Sequence, residues 1–237
     1  MKKYFKLKNY VNAFRNLVRG RYRRSYSQQG EDLLIQLALR TLSISNPTYL
    51  DIGANDPILS NNTYLLYTQG YRGVCIEPDP RIFKAILQKR KRDVCLNIGV
   101  GPVDDPHAKY YVLNANQSST FNKEDVDNYA TNPAYKDLRL LEVLTISLVS
   151  TNSIMEQYFA NGLDLMSIDT EGYDLAILQS LDFGRFQPKI ICVETLRQDE
   201  NGKLHKIEEI YNLLTSKGYT VFADTQVNTI FTLPVKA

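Results

Sequence analysis

The sequence predicts an α/β protein: a mostly parallel sheet with helices on both faces. Three observations predict it. Short, continuously apolar runs recur along the chain, as expected of strands buried on both sides. Helix-period stretches separate them, the pattern of a parallel sheet with crossover helices. Four of the runs end on an acid (Asp51, Glu77, Asp169 and Glu194), and Gly53 closely follows the first. The 237 residues, 43% hydrophobic and 23% charged, suit one globular domain with a short extension and exclude a disordered chain. No apolar run approaches the roughly 20 residues of a membrane-spanning helix.

The extension is expected over residues 1–24 and the domain over 25–237. Nine of the 28 cations fall within 1–24, with no acid; the remaining 19 face 26 acids, a balance of −7. An acidic body argues against nucleic acid as a partner. Leu7, Tyr10, Val11, Phe14, Leu17 and Val18 recur at helical spacing among the cations. Two readings stay open: a helix packed on the body, or an interfacial helix in contact with an anionic membrane. The stretch lacks the apolar core and cleavage site of a secretory signal, so a cytoplasmic protein is expected. Under the second reading it would sit peripherally at the inner face of the membrane.

The elements follow in order. Glu31 and Asp32 precede Leu33, Leu34, Leu37, Ala38 and Leu42, an amphipathic helix with acids at its positive end. Asn46-Pro47 ends it. Residues 48–52 form a strand. Residues 62–69 read as a helix closed by Gly70. Residues 73–76 form the second strand, Pro78-Asp79-Pro80 opens a helix over 81–91, and 94–100 is the third strand. Beyond it, 110–113 and 143–149 read as strands and 153–160 as a helix. The polar stretch 114–132 between them reads as a loop or lid. Strand 163–168 ends at Asp169, helix 175–181 follows Gly172, and strand 190–193 ends at Glu194. A helix over 207–217 and a hairpin of 219–223 with 229–233 complete the chain. Cys75, Cys95 and Cys192 lie in strand-like runs without CxxC spacing, as expected of reduced thiols.

The strand-end acids carry the chemistry. Ligands of an open parallel sheet bind outside the carboxyl ends of its strands. Four carboxylates converging there would repel one another, and a cationic or hydroxyl-rich ligand would explain them. The turn Asp51-Ile52-Gly53-Ala54-Asn55-Asp56-Pro57 is neither GxGxxG nor a Walker A loop. Glu77, at the end of the second strand, stands where an acid accepts hydrogen bonds from a ribose. Together these features point to an adenosine-containing ligand without a diphosphate.

Five segments extend this reading: Tyr26-Ser-Gln-Gln-Gly-Glu-Asp-Leu33, Leu50-Asp-Ile-Gly-Ala-Asn-Asp56, Ser60-Asn-Asn-Thr63, Gly73-Val-Cys-Ile-Glu-Pro-Asp-Pro80 and Ile168-Asp-Thr-Glu-Gly-Tyr-Asp174. In this order they resemble the FkbM family of S-adenosylmethionine-dependent methyltransferases, over about residues 26–233. The resemblance implies a Rossmann-like seven-stranded methyltransferase sheet, mostly parallel with an antiparallel last strand. It implies S-adenosylmethionine as cofactor and O-methylation, often of sugar or polyketide hydroxyls. Carried over, Asp51, Gly53 and Asn55 would border the methionine part of the cofactor. Glu77 would hold the ribose, with Pro78, Asp79, Asn97, Ile98 and Gly99 near the adenine. Asp169 and Glu171 would face the transferring methyl or the acceptor. Pro57 departs from the family, which usually has glycine there.

A sugar hydroxyl needs a base or a metal to become nucleophilic. Asp169 is the first choice for base and Glu171 or Glu194 the second. Alternatively the three hold a divalent cation, Mg²⁺ or Mn²⁺ by their oxygen donors. The bland alternatives are a helix-terminal acid for Glu171 and a salt bridge to Arg197 or another cation for Glu194. Asn114 to Asn122, with Gln117, Ser118, Ser119 and Thr120, suit either a polyol or an ordinary loop. Asn132-Pro133-Ala134-Tyr135 reads as a turn, and His107 and His205 as surface residues. A glycan or small molecule is therefore the expected partner. The competing functions are a nicotinamide-dependent dehydrogenase, disfavoured by the missing GxGxxG, and a non-catalytic nucleoside-binding module.

Overall fold

A computed structural model describes residues 24–115, 118–132, 135–198 and 203–234. The basic segment before Arg24, Gln117 and the Pro133-Ala134 pair lie outside the described residues. The elements run α1 (Glu31–Thr41), β1 (Tyr49–Ile52), α2 (Tyr64–Thr68), β2 (Gly73–Ile76), α3 (Pro80–Lys89), β3 (Val94–Leu96), β4 (Gly99–Gly101), β5 (Asp105–Leu113) and α4 (Lys123–Thr131). There follow β6 (Leu140–Ser150), α5 (Thr151–Tyr158), β7 (Leu165–Ile168), α6 (Asp174–Ser180), β8 (Ile190–Glu194), β9 (Leu196–Gln198), β10 (Leu204–Lys206), α7 (Glu208–Ser216), β11 (Thr220–Asp224) and β12 (Asn228–Thr232).

Seven strands form the main sheet in the order β11-β12-β8-β7-β1-β2-β3. The strands from β8 to β3 are parallel, and β12 runs antiparallel to both of its neighbours. Both faces are buried, which explains the unbroken apolar runs. On one face Leu50, Ile52, Ile168 and Val193 pack with Ile154, Ile177 and Leu214 of α5 to α7. On the other, Tyr49, Cys75, Leu165 and Cys192 pack with Ile35 and Leu39 of α1, Leu66 of α2 and Ile86 of α3. Among the described residues no helix is long and apolar enough to cross a membrane.

Two sequence expectations need correction. The apolar run 94–100 is not one strand. It breaks at Asn97, whose side-chain amide donates to the carbonyls of Glu77 and Pro78 at 2.8 and 2.9 Å. The chain then leaves the main sheet, and β4 joins β6 and β5 in a second, three-stranded sheet. The stretch 114–132 is not all loop. Asn122 caps α4 by accepting from Glu124 N, and acids in the first turn favour the helix dipole. Only Val126 of α4 is buried, so little apolar periodicity announced it.

Candidate active site

The carboxyl ends of β1, β2, β7 and β8 open into one cleft of about 530 Å³. That is in the range of small-ligand sites. Asp51, Gly53, Asn55, Glu77, Pro78, Ile98, Gly99, Asp169, Glu171 and Glu194 all line it. Two expected residues do not. Asp79 is fully buried, caps α3 through Arg81 N and pairs with the Arg81 side chain. Asn97 braces the β2–α3 turn from behind, as described above. Both shape the wall from outside the cleft.

The β1 turn is set by a backbone contact. Gly53 has φ +78°, and a Cβ there would lie 1.8 Å from the carbonyl oxygen of Asp169. No other residue fits this approach. Gly53 N and Ala54 N both donate to Ile76 O, and Asp169 N donates to Ile52 O. The three strand ends are thereby locked together. Asn55 and Glu171 are non-glycine residues with φ of 45° and 53°. Such conformations are costly and concentrate at functional sites.

Asp51 and Glu77 have protein partners. Asp51 accepts from Thr63 Oγ1 at 2.7 Å and Asn61 Nδ2 at 3.2 Å. Behind them lies Arg90, whose guanidinium donates to Asp93, Thr63, Asn61 and the Pro57 carbonyl. Tyr49, Tyr64 and Tyr67 surround it, their ring centroids 5.0 to 5.7 Å from its Cζ. Burial raises the Asp51 carboxyl, and the positive charge of Arg90 opposes the rise. Glu77 accepts from Asp79 N at 2.8 Å and Asn55 N at 2.9 Å. Burial nevertheless pushes it up to about 7.

Asp169, Glu171 and Glu194 differ. Each offers an oxygen within 4.8 Å of the others. Among the described residues no hydrogen bond reaches their carboxylates. Burial and the neighbouring acids push Asp169 up to about 7 and Glu194 up to about 9, and Glu171 also rises well above the usual range. The bland alternatives for Glu171 and Glu194 fail. Asp174, not Glu171, accepts from Thr170 N and Gly172 N at the start of α6. Arg197 pairs with Asp125 rather than with Glu194. Three oxygens at this separation could hold a divalent cation.

Residues 51–221 match the family described as the Methyltransferase FkbM domain. The chain belongs to the FkbM methyltransferase family. The match covers well over half of the sequence and favours a methyltransferase over a nicotinamide-dependent dehydrogenase. No curated protein matches it. Among solved structures, an FkbM methyltransferase from Methylobacillus flagellatus KT is 14% identical with a TM-score of 0.46. The alignment covers 79% of this chain and 43% of that one, so this chain spans less than half of its length. A TehB-like SAM-dependent methyltransferase from Corynebacterium glutamicum is 12% identical with a TM-score of 0.42, over 96% and 97% of the two chains. The 1,6-didemethyltoxoflavin-N1-methyltransferase of Burkholderia thailandensis, solved with that compound and S-adenosylhomocysteine, is 10% identical. Its TM-score is 0.39, over 97% and 88% of the chains. Likeness at these scores assigns no acceptor and no residue role.

The FkbM domain also brings residues to the cleft that sequence reasoning missed. Tyr110 of β5 and Phe121, with ring centroids 4.7 Å apart, close one side from the second sheet. Asn114 and Ser119, from the stretch already read as suited to a polyol or an ordinary loop, stand beside them, and Ile82, which carried no such expectation, lies on the Glu77 side. Gln28, within a quoted motif but given no role, reaches the cleft from the segment before α1. Arg90 had no separate signal, because it reads as one cation in the basic stretch Lys89-Arg90-Lys91-Arg92. His107 and His205 are exposed, and the three cysteines are free.

Proposed function

We propose that the cleft binds S-adenosylmethionine and that the domain methylates a hydroxyl of a sugar or cell-surface glycan. The residues present fit that cofactor. Glu77 is the observation that carries the reading. Two backbone N–H groups fix its carboxylate at the end of β2, with accepting capacity left for the paired hydroxyls of a ribose. Pro78, Ile82, Ile98 and Gly99 offer an apolar slot beside it for the adenine. Asp51 and Gly53 border the space left for the amino-acid part, where Asp51 complements an ammonium group.

The cofactor supplies an electrophilic methyl group on a positive sulfur. The protein then has to hold the acceptor oxygen in line and take its proton. Asp169 is the proposed base. The hydroxyl proton passes to its carboxylate, the oxygen–methyl bond forms, and the sulfur–methyl bond breaks with its electron pair left on sulfur. A carboxylate raised to about 7 accepts a proton near neutrality better than an ordinary aspartate. Glu171 and Glu194 stand within reach as alternative bases.

A second reading has a specific observation behind it, the convergence of the three carboxylates. In it they hold Mg²⁺ or Mn²⁺, which would acidify the hydroxyl. Turnover that survives a chelator removes this version. The test of the main reading is mass spectrometry of neutral oligosaccharides and small polyols incubated with the enzyme and S-adenosylmethionine. A gain of one methylene mass is expected on at least one acceptor class. No methylation of any of these hydroxyl acceptors, with transfer instead to amine or carboxylate acceptors assayed beside them, would contradict it.

A further inference from the structure

Residues 24–96 expose mostly one sign of charge. They contain nine cations and seven acids. Eight of the cations are exposed, and Arg90 alone is buried; among the acids only Asp56 is exposed. The remaining acids are used internally. Asp32 accepts from Ser25, Ser27 and Tyr26 N, Glu31 from Thr225 and Asn228, and Asp93 from Arg90 and Gly73 N. The net balance of −7 outside the first 24 residues therefore conceals a positive surface.

Most of these cations gather at one end. Arg40 closes α1, Arg72 precedes β2, and Lys89, Lys91 and Arg92 lie at the α3–β3 turn. Arg24 and Arg40 line the same groove, of about 470 Å³, together with Tyr71. Arg92 rests on the Tyr67 ring. Asp93 accepts from Gly73 N and so joins the α3–β3 turn to the start of β2. The result is a continuous rim along the amino ends of β1, β2 and β3. In a parallel sheet that is the end opposite the cleft. Leu87 and Val94, exposed by 49% and 44%, stand among the rim cations.

We propose that this rim docks the protein on an anionic lipid bilayer and turns the mouth of the cleft away from it. Cations near such a surface gain attraction from its negative potential, and apolar tips enter the headgroup boundary. The chain preceding Arg24 adds eight cations, no acid, and Leu7, Val11, Phe14 and Val18. Exposed apolar side chains among the cations favour lipid over nucleic acid, which offers them no apolar phase.

The test is sedimentation of the full chain with phosphatidylcholine vesicles, pure or with about one third phosphatidylglycerol, at low and high salt. Binding is expected only to the anionic vesicles and is expected to weaken with salt. The triple variant Arg72→Gln, Lys89→Gln, Lys91→Gln should bind about a hundredfold more weakly, from about fivefold per cation. A matched triple on the second sheet and the segment that joins β5 to β6, Lys109→Gln, Lys123→Gln, Lys136→Gln, should bind as the parent does. Equal binding by the rim variant, equal loss in both triples, or tighter binding of a duplex oligonucleotide than of the vesicles would overturn the proposal. S-adenosylmethionine affinity, measured on the same variants, reads the methyltransferase assignment separately, because no rim residue lines the cleft.

Discussion

Two groups of acids share the cleft, and their surroundings differ. Asp51 and Glu77 are held by donors from the protein: Thr63 and Asn61 for one, two backbone amides for the other. Asp169, Glu171 and Glu194 face one another with no such donors among the described residues. The first group is a built frame, finished without a ligand. The second is an unsatisfied cluster that gains from a proton or a cation. A frame suits recognition of a fixed cofactor, and an unsatisfied cluster suits chemistry.

The largest expected effect tests the frame. Arg90→Met leaves Asp51 and Asp93 buried without their cation, and should cost about 3–5 kcal/mol of stability. Thermal or denaturant unfolding reads it; a loss below about 1 kcal/mol would show that the frame does not depend on the buried charge. Next comes the cluster. Asp169→Asn should lower kcat by about 10²–10⁴ while leaving the cofactor Kd within a few-fold. It should also stabilise the unliganded protein, because one of the mutually repelling acids becomes neutral. Wild-type turnover would remove Asp169 as the base.

The two groups were not equally legible in the sequence. Strand ends 51, 77, 169 and 194 could be read because each follows a short apolar run, and Gly53 marks the turn beside them. The cleft wall from Tyr110 and Phe121 could not be read, since it depends on β4 leaving the main sheet at Asn97. The run 94–100 looks like one strand because its apolarity continues through the break. Arg90 is the clearest case. Its role arises from three tyrosines, Thr63 and Asn61 that only the fold brings together. The same fold keeps every acid of residues 24–96 except Asp56 from the surface, so a net-charge count missed the basic rim.

A smaller effect separates the groups by pH. Glu77 rises from the usual carboxylate range to about 7 on burial. Its folded state therefore binds the proton more tightly than its unfolded state. Its contribution to the stability of the unliganded protein should be largest below about pH 4.5 and fall as pH rises toward 7. S-adenosylmethionine affinity should move the other way, tightening as Glu77 ionises. Unfolding and titration between about pH 5 and 8 check both signs, and Glu77→Gln should flatten the Glu77 part of each profile.

Calorimetric titration of the full chain with S-adenosylmethionine, beside the same titration of Glu77→Ala, tests the central claim most directly. The account predicts one-to-one binding that weakens by about tenfold or more when the hydrogen bonds to the ribose are lost. Absence of binding by the parent protein, or equal affinity in both, would contradict it.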